Sequence, residues 1–253
     1  MMRNIFRLAY RAFVSSLDKP TLFFILIFPA FLIFVMGYAY SGIIPSFMLG
    51  GETISYPVFL ASGAVTLVVV NSGMTVGTII WFDRKFGMYE QILVGPFRRY
   101  EYMAGIILAT ILVSLLSAGL ALTIASPVLA GTPVTLPGLL YAGLTLAVGS
   151  VLFGSLALII SIHLRSSESF NVVSNFIFFT ILFTSSVFYP AEYAPQPIKL
   201  VAELNPLTYL ADAFRAGLLG IADSNILFKT GILMAEGFAL LAVASLMFSD
   251  IKA

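Results

Sequence analysis

"RKFGMYEQILVGPFRRYEY", residues 84–102, gathers Arg84, Lys85, Glu90, Arg98, Arg99 and Glu101 between two runs that carry no acidic residue, lysine or arginine, 53–82 and 102–164. A helix needs about 20 apolar residues to cross a hydrocarbon core of roughly 30 Å, so charge bunched between two such runs marks a polar loop joining two crossings. The fold reading follows by extending this division to both ends of the chain.

Charge-free runs and their Pro/Gly breakers give six spans, at about 21–42, 56–80, 103–125, 137–162, 170–189 and 229–248. The long run 102–164 divides at "SPVLAGTPVTLPG" (126–138), where three prolines and two glycines predict a turn. Composition agrees: 60% of the 253 residues are hydrophobic and only 10% charged, which excludes a water-soluble domain. A net charge of +1 gives no basic excess for binding nucleic acid, and the absence of cysteine excludes disulfides and thiolate metal sites. The first apolar run is too long for a signal-peptide core and lacks a cleavage pattern, so it reads as a span.

Lys and Arg in short loops set orientation. With six spans the two ends of the chain share a side, and that side holds Arg3, Arg7, Arg11, Lys19, Arg84, Lys85, Arg98, Arg99, Arg165 and Lys252. Both termini, 81–102 and 163–169 are therefore expected in the cytoplasm. The segment 190–225, with Glu192, Lys199, Glu203, Asp212, Arg215 and Asp223, is expected outside.

Residues 1–19 form an interfacial helix in this reading. At about 100° per residue, Arg3, Arg7 and Arg11 share one sector while Ile5, Phe6, Ala9 and Phe13 fill the other side. Such a helix either anchors topology or grips a cytoplasmic partner. In the opening stretch, "GMYEQIL" fits two helical turns, with Met88, Ile92 and Leu93 on one side, Glu90 and Gln91 on the other, and Gly95-Pro96 as the stop. Either it is a solvated hairpin loop or it is a lever across the mouths of two spans.

Pro190, Pro195, Pro197 and Pro206 forbid one continuous helix over 190–225, but 198–204 and 207–219 carry helical patterning, with Asn205 as N-cap and Pro206 at the first helical position. Asp212 and Arg215 can pair on one face, as a local surface pair or as a gating contact. Asn71, Thr75 and Thr78 share a face of span 2, and Asn171 and Asn175 a face of span 5; both faces should avoid lipid, by packing against other helices or by lining a cavity. Phe176, Phe178, Phe179 and Phe183 beside them suit a flat lipophilic substrate. Glu236 is the one acid in mid-span, read as a neutral, hydrogen-bonded acid or as the proton site of a secondary carrier. A lone His163 and the lack of G-x-S-x-G disfavour an intramembrane enzyme, and no catalytic or metal-ligating set is expected.

The order of these features resembles the permease subunits of type-2 ABC exporters. Gly87–Pro96 looks like the family's GTLExLLVTP coupling helix, although Met88-Tyr89 stand where Thr-Leu is usual and Gly95 where Thr is usual. Phe188-Tyr189-Pro190, Asn205-Pro206-Leu207-Thr208-Tyr209 and Arg215 look like its FP…NPLTY…R signature. The resemblance spans 1–253 as one all-α, polytopic transmembrane domain. It implies a plasma-membrane permease dimer driven by separate ATPase chains that bind ATP and Mg, with no cofactor on this chain itself. None of the five lysines closes a G-x-x-x-x-G-K-[ST] phosphate loop, in agreement. It also implies coupling through Gly87, Glu90, Gln91, Leu93 and Pro96, and a substrate pathway along Asn71, Thr75, Thr78, Asn171, Asn175, Phe178 and Phe179. The external gate would be Pro190, Asn205, Pro206, Tyr209 and Arg215. The short external loops favour a lipophilic small molecule or lipid as substrate, with a lipid-linked glycan as the alternative.

Overall fold

The computed structural model describes residues 2–164, 166–221 and 225–249. Arg165, Asp223 and Lys252, used above for orientation, lie outside the described residues. Among the described residues the chain is helical apart from one hairpin and the connecting turns. In order it forms α1 (Met2–Ser15), α2 (Lys19–Ser41), β1 (Ser46–Leu49), β2 (Glu52–Ser55), α3 (Tyr56–Lys85), α4 (Met88–Val94), α5 (Arg99–Leu129), α6 (Leu136–His163), α7 (Ser167–Phe183), α8 (Gln196–Glu203), α9 (Pro206–Leu219) and α10 (Ile226–Ser249).

Five of these, α2, α3, α5, α6 and α10, are long and apolar enough to cross a membrane. The fifth expected span, 170–189, is shorter than its apolar run: α7 has 17 residues and stops at Phe183, and 184–190 leaves the helix. Other boundaries shift because helices run on past their apolar cores. α3 continues through Asp83 to Lys85, where the sequence suggested loop, and α5 carries Pro127 inside its last turn, so the turn before α6 is shorter than 126–138. Residues 1–19 are also divided: α1 ends at Ser15, and Asp18 caps α2 by accepting from the Thr21 N–H at 3.1 Å. Within α2, buried Pro29 lacks an N–H to continue the ladder, and the next turn widens into a π-helical segment over Phe31–Met36.

The hairpin departs from the all-α expectation. Gly50 and Gly51, both at positive φ (58° and 85°), supply a tight turn that other residues adopt at a cost. Phe47 pairs with Ile54, and both bury one face against α3, with Phe47 5.0 Å from the Phe59 ring.

Helix α3 is central, buried along nearly its whole length by α5 and α6. Its Gly73-x-x-x-Gly77 face meets α6 so closely that a Cβ on Gly77 would stand 2.6 Å from the Ala157 Cβ, and one on Gly73 2.9 Å from the Phe153 carbonyl. Small residues at this spacing let two backbones approach, which is how helices gain packing where the surroundings are as apolar as the interface. The hairpin, α8 and α9 gather at the start of α3, and α1 and α4 at its end.

Candidate functional site

At the α4 end, Gly87 takes φ 70° and turns the chain from α3 into α4. Tyr89 is fully buried, meeting Tyr102 of α5 edge to face at 5.4 Å and Phe248 of α10 at 5.2 Å, while Ile92 and Leu93 pack partly into the same cluster. Glu90, Gln91 and Pro96 are exposed, and Gly87 is half-buried. The expected helix is present with an altered phase: Met88 is exposed and Tyr89 takes the inner position. Burial raises the Tyr89 phenol pKa, opposed by Arg99 and Arg84, and its buried hydroxyl has no hydrogen-bond partner among the described residues.

Beside this helix lies a group that sequence reading missed. Asp83, buried at the end of α3, accepts a two-pronged ion pair from Arg11 of α1, one arm at 2.8 Å, and a hydrogen bond from the Tyr102 hydroxyl at 2.8 Å. The bond to Asp83 holds the Arg11 guanidinium above its usual pKa despite the cost of burial. Arg11 therefore turns inward, while Arg3 and Arg7 stay exposed, as an interfacial helix requires. Helix α1 lies on α5 through Leu8, Ala9 and Ala12, and Phe6, expected among the apolar contacts, is exposed. Arg84 donates to the Ser161 and Ile162 carbonyls at 2.7 and 2.9 Å and so caps α6, tying the end of a second long helix to α3.

At the other end, Arg215 of α9 is only 3% exposed. Its guanidinium donates to the Ser62 hydroxyl of α3 at 3.0 Å, the Ser186 carbonyl at 3.1 Å and Asp212 at 3.2 Å, and lies 3.8 Å over the Phe59 ring. Asp212 also accepts from the Ser186 hydroxyl at 2.7 Å and from Lys229 of α10 at 3.1 Å. Asp212 and Arg215 are thus the hub of a network joining α3, the segment after α7, α9 and α10, which corrects the reading of a local surface pair. Burial lowers the Arg215 pKa to about 10, with Asp212 opposing that shift.

The expected cap of α9 is in place. Asn205 accepts from the Leu207 N–H at 2.9 Å and donates to the Ile181 carbonyl at 2.7 Å and Thr184 at 2.8 Å, fixing α9 to the end of α7, with Pro206 opening the helix. Tyr209 donates to the Glu203 carbonyl, and Pro190 is buried before a single 3-10 turn, Ala191–Tyr193.

A short helix seated by Tyr89 at one end and the Asp212–Arg215 network at the other thus stand on the same bundle. A family model described as ABC-2 type transporter matches residues 3–219. The chain belongs to that family. Curated proteins give no match. As an ABC-2 protein, the chain is a multi-pass membrane permease of an ABC transporter, a transport component that associates with an ABC ATPase subunit.

The polar residues expected along a substrate pathway do not form one sealed interior in this permease. Asn71, Thr75 and Thr78 are half-buried on α3, and Thr75 and Thr78 return their hydroxyls to the carbonyls of Asn71 and Met74 at 2.9 and 3.0 Å. On α7, Asn171 and Asn175 are exposed, as are Phe176, Phe179 and Phe183; of the residues expected along the pathway on this helix, Phe178 alone is buried, tilted against Phe28 of α2 at 6.2 Å. Within one chain, this face is left uncovered. Glu236 is half-buried, and its buried Oε2 lacks the hydrogen-bond partner expected for a neutral acid tied into the bundle. His163 is exposed and turns Nδ1 to the Ile159 carbonyl at 2.8 Å.

Proposed function

We propose that the chain is the membrane half of an ATP-driven exporter, two copies forming the pathway for a lipophilic small molecule or lipid. Separate ATPase chains bind ATP and Mg and act through α4. In this reading the bundle sits in the plasma membrane with α1 and α4 cytoplasmic and the hairpin, α8 and α9 outside. Helix α7 counts as a sixth span: its 17 residues rise about 26 Å, at the lower limit for crossing.

The observation that carries the reading is the two-sided seating of α4. Tyr89 fixes it to α5 and α10, while Glu90 and Gln91 face out where a partner can reach them. A push on the outer face is transmitted to packed helices rather than absorbed by a loop. The uncovered face of α7, polar at Asn171 and Asn175 and aromatic at Phe176, Phe179 and Phe183, supports a pathway completed by a second copy.

The test is to purify the chain with its ATPase, reconstitute both in vesicles, and measure ATP-dependent movement of a panel of lipophilic dyes, labelled lipids and lipid-linked glycans. Transport of a dye or lipid, accompanied by stimulated hydrolysis, is expected. Transport of glycan alone would overturn the substrate class, and an assembly with one permease copy would overturn the shared pathway.

A further inference from the structure

A crevice of about 540 Å³ opens at the hairpin end of the bundle, and Pro190, Tyr209 and Arg215 of the expected external gate form part of its wall. Its wall takes Glu192 from the 3-10 turn, Lys199 and Glu203 from α8, Asp212 and Arg215 from α9, and Lys229 from α10. The lining is therefore balanced, three cations against three carboxylates, which favours a ligand bearing both signs over a simple anion or cation.

The shape of the wall narrows the ligand. Helix α8 is two-faced. Lys199 and Glu203, one turn apart, line the crevice, whereas Leu200, Val201 and the following Leu204 are exposed. A short helix with an exposed apolar row and a charged opposite face lies in a membrane interface, so the crevice opens at headgroup level. Asp212 is held by Arg215, Lys229 and Ser186, but Glu192, Lys199 and Glu203 form no ion pair among the described residues.

We propose that this crevice binds the amine-bearing phosphodiester headgroup of a zwitterionic phospholipid from the adjacent leaflet. Lys199 holds the phosphate, Glu203 and Glu192 hold the ammonium, and the acyl chains lie along Leu200, Val201 and Leu204. The site is built within a single chain beside Pro190, Tyr209 and Arg215, and lipid retention is read without transport.

The test uses the full chain purified in detergent, with retained lipid counted by native mass spectrometry and thermal unfolding followed in parallel. Phosphatidylethanolamine should be retained about tenfold more tightly than phosphatidylglycerol. Lys199→Gln should weaken that retention by a similar factor without lowering the melting temperature of the lipid-free protein. Glu203→Gln should erase the preference and leave phosphatidylglycerol bound as before. Equal retention of the two lipids by the parent protein, or an undiminished preference in Glu203→Gln, overturns the proposal. Glycerophosphoethanolamine binding as tightly as the lipid overturns the assignment to a bilayer lipid and identifies a soluble phosphodiester instead.

Discussion

The Arg215 guanidinium lies between the Phe59 ring, 3.8 Å away, and the Ser186 carbonyl, 3.1 Å away, so one side chain joins α3 to the segment that follows α7. Gly63 leaves the space for this contact: a Cβ there would stand 2.9 Å from the Val187 carbonyl and 3.2 Å from an Arg215 nitrogen. Gly63→Val is expected to destabilise the protein by about 1–3 kcal/mol through overpacking. Arg215→Lys keeps the charge but loses the planar fork, and should cost a similar amount, about 1–3 kcal/mol. Thermal unfolding in detergent measures both, and a parent-like melting temperature for either variant would show that this network does not hold the helices together.

Tyr89 separates packing from hydrogen bonding. Its hydroxyl is buried without a partner, while its ring touches Tyr102 and Phe248. Tyr89→Phe should therefore leave stability unchanged or slightly raised, whereas Tyr89→Ala should cost about 3–5 kcal/mol and loosen α4. If the two substitutions weaken ATP-driven transport equally, the ring contact is not what transmits movement.

Long spans were legible in the sequence because charge is absent from 53–82 and 102–164, and bilayer thickness converts that absence directly into helix length. The α9 cap at Asn205-Pro206 was also legible, since its chemistry is local. Asp83 was not, because next to Arg84 and Lys85 it reads as one more loop charge; only the extension of α3 and the arrival of α1 bury it. The inward side of a helix as short as α4 depends on a register that seven residues leave open, which is why Tyr89 and not Met88 faces inward. The hairpin was not legible, because two four-residue strands between two long apolar runs carry too little alternation to stand out.

The Arg11–Asp83 pair should behave as one unit with Tyr102. Arg11→Ala leaves the buried Asp83 carboxylate with the Tyr102 hydroxyl as its remaining partner among the described residues, and should cost about 1–3 kcal/mol. Asp83→Asn in that background should restore part of the loss, because the uncompensated charge is removed. A double-mutant cycle on unfolding gives the coupling energy, and strict additivity would mean that the pair contributes nothing beyond its separate residues.

Glu236 decides between an ATP-driven permease and a proton-coupled carrier. Glu236→Gln preserves the shape of the side chain and removes its ionisation. Transport by the reconstituted complex should then stay within about twofold of the parent across the pH range, a change of less than 0.5 kcal/mol in the barrier. Loss of transport together with loss of its pH dependence would place a proton site in α10.

Glu90 tests the role of α4 most directly. Its carboxylate is exposed at the first turn, on a helix held from beneath by Tyr89, so replacing it leaves the seat of the helix intact. If the ATPase presents a positive groove, Glu90→Lys converts an attractive contact into a repulsive one, on the order of 2–5 kcal/mol if the contact is buried. The complex should then dissociate on purification, or hydrolyse ATP without moving substrate. Membrane insertion should be unaffected, because an added lysine strengthens the basic bias of that side. Substrate-stimulated hydrolysis and transport, measured on the same preparation, separate these outcomes; parent-like values for both would reduce residues 84–102 to a connection between two spans.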